Sequence, residues 1–297
     1  MVRESASDRW FIIANYTFVI FITLSVLYPL WFIVSASFSD PQYVNSGQMY
    51  VWPKGFTLEG YERVFQNPDI WIGYRNTIFY TIAGVLINLL FTLPGAYALS
   101  RPDLVGRHVF TFIIVFTMFF GGGLIPTYLL VKNLGMVNTI WALLLPNAAG
   151  VFQIIVTRTF FQSSVPRELE EAAEIDGCST LRLFIRIVLP ISLPIIAVMS
   201  LFYGVGHWNQ YFAALIYLKS RDLYPLQLIL REILVLNEMT DMLLSGGMDF
   251  EAVAEQMRVS DLIKYAVMIV AALPLLIVYP FLQKFFIKGV LIGSLKG

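Results

Sequence analysis

The chain has 297 residues, of which 58% are hydrophobic and only 13% are charged, whereas a soluble domain is typically about a quarter charged. Twenty acidic and twenty basic residues leave no net positive charge that would favour nucleic-acid binding. A single cysteine and two histidines exclude an internal disulfide framework and argue against a structural zinc site. The composition therefore indicates a membrane protein.

Six long stretches contain no charged residue, and each is long enough to cross about 30 Å of hydrocarbon as a helix. Their runs of Leu, Ile, Phe and Val lack the alternation of apolar and polar residues that is typical of membrane β-barrels. The sequence therefore predicts an all-α integral membrane protein with six transmembrane helices in a single domain, 10–297. The predicted spans are about 10–38, 76–100, 108–131, 138–160, 187–218 and 264–286.

The first stretch could instead be a secretory signal, because Ser35 and Ser37 form a loosely small-x-small site after an apolar run. That run is longer than the roughly 7 to 15 apolar residues of a signal, and five more spans follow, so we interpret it as the first helix.

Six crossings place both termini on one side of the membrane. The hairpin at 101–108 has two positive charges and that at 132–139 has one. The positive-inside rule therefore predicts cytoplasmic termini, including 1–9.

Two of the predicted extracytoplasmic loops are long, 40–75 and 219–263. The first contains turn sequences and has the features of a surface connection. In the second, apolar residues at helical spacing from Pro225 to Leu236 predict an amphipathic helix. A glycine-rich break follows at 245–247. Loops of this length are often functional or docking surfaces.

The third predicted span contains three consecutive glycines, Gly121 to Gly123, shortly before Pro126. This pattern predicts an interruption of the helix. A broken helix can line a transport pathway, but Gly and Pro are common in membrane helices generally.

The predicted cytoplasmic connection 162–186 carries most of the clustered charge of the chain. Ser164 as N-cap, Pro166 in the first turn and Glu168 near the positive end of the helix dipole predict a short helix that ends at Gly177. The alternative is an interfacial helix that rests on lipid, but an acidic helix is not attracted to anionic lipid. We therefore expect a compact helical projection that docks on a partner protein.

Within this connection, Glu171-Ala172-Ala173, then Gly177 and 187–190 (IVLP), resembles the EAA signature of the membrane subunits of binding-protein-dependent ABC importers. Other segments resemble the carbohydrate branch, especially the maltose-type permeases and the subgroup associated with uptake of oligosaccharides and polysaccharide fragments. These segments span nearly the whole chain and are 53–57 (PKGFT) with Tyr61, 125–128 (IPTY) followed by Asn138-Thr139, Trp208-Asn209, 224–227 (YPLQ) and 288–297.

The resemblance implies an ABC importer permease fold in which the charged connection is a coupling helix that sits in a groove of a cytoplasmic ATPase subunit. The coupling positions it implies are Glu168, Glu171, Ala172, Ala173, Asp176 and Gly177. It also implies two ATPase subunits, a homologous second permease subunit and an extracytoplasmic solute-binding protein that meets the second long loop. ATP and magnesium would be bound by the ATPase subunits, and this chain would hold no cofactor or metal. The protein would be a multi-pass protein of the bacterial cytoplasmic (inner) membrane, in contact with membrane lipid and the carbohydrate.

A dense polar and aromatic cluster lies in the fifth predicted span. Its members are His207, Trp208, Asn209, Gln210 and Tyr211. Aromatic faces beside hydrogen-bonding groups are suited to sugars, so these residues, with Gln153 of the fourth predicted span, are candidates for the substrate path. Helix packing explains the cluster equally well, because Asn and Gln also form hydrogen bonds between membrane helices.

The sequence contains no Gly-Lys dipeptide, which a P-loop requires, and no Gly-x-Ser-x-Gly nucleophile elbow. We therefore predict that the chain is not an enzyme and that ATP is hydrolysed on partner subunits. The predicted function is import of a carbohydrate, in particular an oligosaccharide. One alternative is import of another solute, such as an amino acid or a polyol, by the same architecture. The other is an ATP-independent channel or secondary transporter, against which the absence of Asp and Glu from the spans argues.

Overall fold

The computed structural model describes residues 6–244, 258 and 261–280, and every regular element in these residues is helical. The first seven helices are α1 (Ala6–Ser37), α2 (Pro41–Asn45), α3 (Glu59–Gln66), α4 (Pro68–Ser100), α5 (Arg107–Phe119), α6 (Leu124–Asn133) and α7 (Trp141–Leu144). The next seven are α8 (Val151–Ser164), α9 (Arg167–Ile175), α10 (Thr180–Ile191), α11 (Leu193–Trp208), α12 (Phe212–Tyr217), α13 (Leu226–Leu244) and α14 (Asp261–Pro280). The described residues group into two compact units, one from 6–68, 232–244, 258 and 261–273, and one from 69–231 and 274–280.

Within the described residues, three helices are long and apolar enough to cross a membrane, namely α1, α4 and α14. Two pairs of helices pass the same test together but are bent, α5 with α6 by 113° and α10 with α11 by 82°. This part of the chain therefore has three spans, or up to five if each bent pair is one span, where the sequence predicts six. The last residues of the sixth predicted span, 281–286, lie outside the described residues.

The fourth predicted span, 138–160, is not a continuous helix, which corrects the prediction. The chain forms α7, leaves helical conformation near Pro146 and resumes as α8 after Gly150. Proline has no N–H to continue a helix, and the backbone of Gly150 is extended, with φ −83° and ψ 127°. The charge-free stretch 133–157 is thus divided by two residues that interrupt helices.

Helix α4 begins at Pro68, ahead of the predicted start of the second span near residue 76. Proline is favoured in the first turn of a helix, and Asp69 in that turn interacts favourably with the helix dipole. The first predicted loop, 40–75, therefore ends earlier than expected, and it also contains α2 and α3.

The interruption predicted at the three glycines is confirmed, since α5 ends at Phe119 and α6 begins at Leu124. Gly123 has a φ of 83°, which lies in the left-handed region that only glycine adopts without strain. The 113° bend between the two helices occurs here.

The core of the second unit surrounds Tyr97 near the end of α4. Its ring stacks on Phe184 at a centroid distance of 5.1 Å and meets the edge of Phe161 at 5.8 Å. Ala173 of α9 and Val188 of α10 belong to the same buried cluster. This core joins α9, the predicted coupling helix, to the end of α4.

In the first unit, the apolar part of α1 has no buried residue. The end of the helix is fastened to the segment that follows it. Trp31 Nε1 and Ser35 Oγ both donate to the carbonyl oxygen of Val51 at 2.8 Å. The Asp40 side chain accepts a hydrogen bond of 2.9 Å from the Gln42 N–H and so caps α2.

The helix expected in the second long loop is present as α13, which begins at Leu226. Leu226, Ile229 and Leu230 are buried, as the helical spacing predicts, whereas Ile233 of the same pattern is only half-buried. Thr77 Oγ1 of α4 accepts a hydrogen bond of 2.8 Å from the Leu226 N–H and fixes the start of the helix. The predicted glycine-rich break at 245–247 lies outside the described residues.

Candidate functional site

A cavity of about 540 Å³ lies within the second unit among α4, α7, α8, α11 and α12, and we call it the polar cavity because amide, imidazole and phenol groups lie on its largely apolar wall. Five of the six residues predicted for the substrate path lie on its wall, namely Gln153, His207, Asn209, Gln210 and Tyr211. The wall also includes Asn88 of α4 and Tyr203 of α11, which the sequence analysis did not select. The predicted residues differ in how tightly the protein itself engages them.

His207 is the centre of a buried chain of hydrogen bonds. Asn88 Nδ2 donates to the carbonyl oxygen of Asn147 at 2.7 Å, so Asn88 Oδ1 faces His207 Nε2, also at 2.7 Å. An amide oxygen can only accept a hydrogen bond, which assigns a proton to Nε2. Asn88 is 1% exposed and His207 is buried beside it, so both side chains are engaged by the protein interior.

The remaining contacts on this wall satisfy the backbone at the break between α7 and α8. Gln210 Nε2 donates to the Leu143 carbonyl oxygen at 3.3 Å, and the Gly150 N–H donates to Tyr203 Oη at 3.2 Å. The Tyr203 hydroxyl also shares a hydrogen bond of 2.6 Å with Thr92 of α4. Non-helical backbone at membrane depth requires such internal partners. We call these side chains the brace: Asn88, Thr92, Tyr203, His207 and Gln210.

Three predicted residues, Asn209, Tyr211 and Gln153, lie on the cavity wall outside the brace. Asn209 is exposed, and its amide donates to the Val205 carbonyl oxygen of its own helix at 2.9 Å. Tyr211 is also exposed, and the guanidinium carbon of Arg231 lies 6.0 Å from the centre of its ring. These three side chains offer amide and phenol groups to a ligand in the cavity.

Trp208 does not share the cavity with its sequence neighbours, which corrects its grouping with them. Successive residues of a helix point about 100° apart, so Trp208 faces away from the polar wall. It lines a separate apolar cavity of about 350 Å³ together with Val85 and Pro274, and its ring lies 6.4 Å from that of Tyr74. Its environment is therefore apolar packing.

The position of the His207 ring depends on Gly84 of α4. A Cβ atom at Gly84 would overlap the imidazole, so we expect Gly84→Ala to lower stability by about 1 to 3 kcal/mol, as overpacking does. The measurement is the midpoint of thermal unfolding of the purified protein in detergent. Gly95→Ala on the same helix is the matched control, because a Cβ there meets no atom within 4 Å. Equal midpoints for the two variants would contradict the prediction.

The predicted coupling helix corresponds to α9, and its end agrees with the sequence pattern. Asp176 is the C-cap and Gly177 has a φ of 72°, the left-handed conformation that commonly ends helices. The start differs from the prediction. Pro166 occupies the N-cap position, and Ser164, predicted as the cap, is the last residue of α8.

The residues predicted to contact an ATPase do not all face the same way. Glu168, Glu171 and Ala172 are exposed, as are Asp176 and Gly177, which follow the last residue of the helix. Ala173 is 7% exposed and packs into the core around Tyr97. The adjoining Ile175 is 87% exposed. The outward surface of α9 is therefore acidic with two large apolar side chains, Leu169 and Ile175, and Ala173 anchors the helix in the core.

Two acidic residues of α9, the partly buried Glu170 and the exposed Glu174, are held by Arg101, which follows the last residue of α4. Arg101 Nη2 donates to Glu174 at 2.8 Å, and Nη1 lies 3.7 Å from Glu170. Its Nε donates to Asp103 at 2.9 Å. The hydrogen bond from Arg101 lowers the pKa of the Asp103 carboxyl, and the same bond raises the pKa of Arg101 above its ordinary value. Tyr97 Oη completes the network by donating to Glu170 at 2.9 Å.

Sequence reasoning missed two residues that organise this unit, Asn88 and Arg101. Asn88 is a polar residue within an otherwise apolar span, which is a recognisable signal of interhelical bonding. Arg101 was counted only as a positive charge near a membrane boundary, since nothing in its neighbourhood in sequence indicates that its partners lie on α9.

The comparison with known proteins defines the class. The model of the family described as "binding-protein-dependent transport system inner membrane component" matches residues 70–292. The chain belongs to this family, which confirms the resemblance to the membrane subunits of binding-protein-dependent importers. It is a helical membrane component of a transport system.

Two proteins of Bacillus subtilis (strain 168) are similar over almost the full length. Protein LplC is 41% identical over 296 residues, covering 100% of this chain and 98% of the relative. The polygalacturonan/rhamnogalacturonan transport system permease protein YtcP is 40% identical over 290 residues, covering 98% and 99%. A chain in the crystal structure of a bacterial ABC transporter involved in import of the acidic polysaccharide alginate is 34% identical, with a TM-score of 0.84, covering 96% of this chain and 100% of that one.

Proposed function

We propose that the protein is the permease subunit of an ATP-driven importer that carries a carbohydrate, in particular an oligosaccharide, across the cytoplasmic membrane. The observation that carries the proposal is the full-length similarity to a permease of a polygalacturonan/rhamnogalacturonan transport system, at 40% identity. The polar cavity supports it, because a sugar needs hydrogen-bonding groups that lipid-facing helices lack.

The proposed arrangement in the membrane has six crossings with both termini in the cytoplasm. Three helices and two bent pairs would provide five crossings, and α7 with α8 would provide the sixth. The brace supports this reading, since its side chains satisfy backbone groups at the break in the way that a membrane interior requires.

The proposed complex contains a homologous second permease subunit, two cytoplasmic ATPase subunits and an extracytoplasmic solute-binding protein. ATP and magnesium would act on the ATPase subunits, and this chain would have no catalytic role. The exposed surface of α9, with Glu168, Glu171 and Ala172, would dock on an ATPase, and Asp176 with Gly177 would form the turn behind it. The exposed carboxylates support this, because they can form charge-assisted hydrogen bonds with basic groups of a partner.

The proposed substrate path includes the cavity, with Asn209, Tyr211 and Gln153 as its sugar contacts. An exposed aromatic ring and two amides are the groups that bind a pyranose face and its hydroxyls. His207 and Gln210 would act indirectly, by holding the wall in shape.

The docking surface is tested by the variant Glu171→Lys. Because Glu171 is exposed on α9, the change leaves the protein's own core intact but opposes like charges at an interface, which costs several kcal/mol. We expect the ATPase that co-purifies with the permease pair to fall by at least about tenfold. The measurement is the ratio of ATPase to permease after affinity purification of the co-expressed subunits.

Glu62→Lys on α3 is the matched control, since it reverses an exposed acidic residue on a different element. It should retain the ATPase. Equal retention by both variants would contradict the assignment of α9 as the docking helix. A wild-type chain that binds no ATPase would contradict the importer function itself.

The substrate class is tested with the solute-binding protein of the same system. Equilibrium binding is measured with neutral oligosaccharides, galacturonate oligomers, an amino acid and a polyol. We expect micromolar or tighter binding of an oligosaccharide only. Binding of the amino acid or the polyol would replace carbohydrate import with import of that solute, and uptake that persists with an inactive ATPase would indicate an ATP-independent transporter.

A further inference from the structure

Arg101 joins α9, the proposed coupling helix, to α4. The helices next to α9 in the sequence are α8 and α10. Arg101 follows Ser100 at the end of α4, and its guanidinium reaches the carboxylates of Glu170 and Glu174 on α9. Its side chain is 14% exposed and that of Glu170 is 16% exposed. Glu170 is thus largely buried whereas Glu174 is 55% exposed, so Arg101 binds α9 where its buried face meets its exposed face.

The other end of this connection is the cavity wall. Helix α4 runs without interruption from Pro68 to Ser100, and it carries both Asn88 and Thr92 of the brace. Asn88 lies about 20 Å along the helix axis from Arg101, at 1.5 Å per residue. A displacement of the end of α4 would therefore reach the side chains that hold His207 and the break beside the cavity.

The lower part of α4 is itself held firmly. Tyr97 is packed between two aromatic rings, and Arg158 Nε of α8 donates to the Leu99 carbonyl oxygen at 3.0 Å. Pro94 removes one backbone hydrogen bond from α4. Contacts on both sides of Pro94 keep the helix continuous. On its N-terminal side Thr92 bonds to Tyr203, and on its C-terminal side Tyr97 packs into the core.

From these contacts, and on the basis of the proposed function, we propose that Arg101 is a positioning residue that transmits movement of α9 through α4 to the wall of the polar cavity. Its planar guanidinium suits the task, because one cation engages two carboxylates a helical turn apart and a third, Asp103, on its own loop. In this proposal the exposed residues of α9, and not Arg101, dock on the ATPase.

The test follows a cysteine at the cavity while the ATPase binds nucleotide. In the assembled complex, the single native cysteine is replaced, Cys178→Ser, and the exposed cavity residue Phe212 is changed to cysteine. The rate of labelling by a polar maleimide is compared without nucleotide and with magnesium-ATP trapped by vanadate. This readout requires no knowledge of the sugar.

Nucleotide trapping is expected to change the labelling rate with Arg101 present. Arg101→Gln should retain the ATPase subunits and hydrolyse ATP, but the nucleotide effect should fall at least about fivefold, the lower range of coupling between sites. Arg101→Lys keeps the charge and should restore part of the effect. Arg63→Gln, which removes an arginine paired with Glu59 at 2.7 Å on α3, is the control and should behave as the parent.

A full nucleotide effect in Arg101→Gln overturns the proposal, and so does loss of the ATPase from that variant, since Arg101 would then serve docking. If Arg101→Gln yields no folded permease pair at all, Glu174→Gln decides, because it removes one arm of the contact at a largely exposed carboxylate. An unchanged nucleotide effect there also overturns it. Failure of the parent chain to bind any ATPase would instead contradict the proposed function.

Discussion

Asn209→Ala is expected to abolish oligosaccharide uptake and to leave the stability and assembly of the protein unchanged. The side chain is exposed at the polar cavity, and its amide bonds to the Val205 carbonyl oxygen of its own helix. No interhelical contact of the brace depends on it, so its removal takes away a group that is available to the sugar. A site that pairs with a substrate hydroxyl can lose several orders of magnitude in rate when that pairing is lost, and we expect at least about a hundredfold.

The measurement is uptake of a labelled oligosaccharide that the solute-binding protein binds, together with the thermal midpoint and the subunit composition of the complex. Asn45→Ala is the matched control, an exposed asparagine on α2 whose partner is Asp261 at 2.6 Å. It should retain uptake. Loss of assembly in Asn209→Ala would assign Asn209 to packing, and full uptake would remove it from the substrate path.

Asn88→Ala is expected to have the largest effect on stability. It removes two hydrogen bonds of 2.7 Å and leaves the Asn147 carbonyl oxygen and His207 Nε2 without that partner in the interior. A buried polar group that loses its partner costs about 1 to 3 kcal/mol. The expected result is a clearly lower midpoint of thermal unfolding in detergent and reduced yield of the assembled complex.

Asn88→Asp provides a graded comparison, because a carboxylate can still accept from His207 but cannot donate to the Asn147 carbonyl oxygen. Asn15→Ala, at an exposed position of α1, is the control and should be neutral. A midpoint for Asn88→Ala equal to that of the control would show that the brace does not support the fold.

Part of the fold could be predicted from the sequence because charges are excluded from membrane spans. That rule located α1 and most of α4, and glycine chemistry located the bend before α6. It could not reveal the break between α7 and α8, because the absence of charge does not distinguish a straight helix from a broken one. The break persists because residues far away in the chain satisfy its backbone, such as Tyr203 for Gly150.

The two parts of the candidate site were predictable to different degrees. The proposed coupling connection has its signature in consecutive residues, so a motif in the sequence could indicate it. The cavity wall depends on which side of α11 each residue faces, and sequence adjacency wrongly grouped Trp208 with the polar residues. Asn88 and Arg101 act across 119 and 73 residues of sequence separation, respectively, and a single sequence holds no record of such pairings.

The break between α7 and α8 has a consequence for how such a transporter can change its cargo. The side chains of the brace form the hydrogen bonds that support the break. In the described part of the chain, a second set, Asn209, Tyr211 and Gln153, forms no hydrogen bond to the backbone at the break. Substitutions in the second set can alter which sugar is accepted without endangering the fold, whereas those in the first carry a penalty whatever the sugar. Relatives with different cargoes should therefore differ at the second set and retain the first.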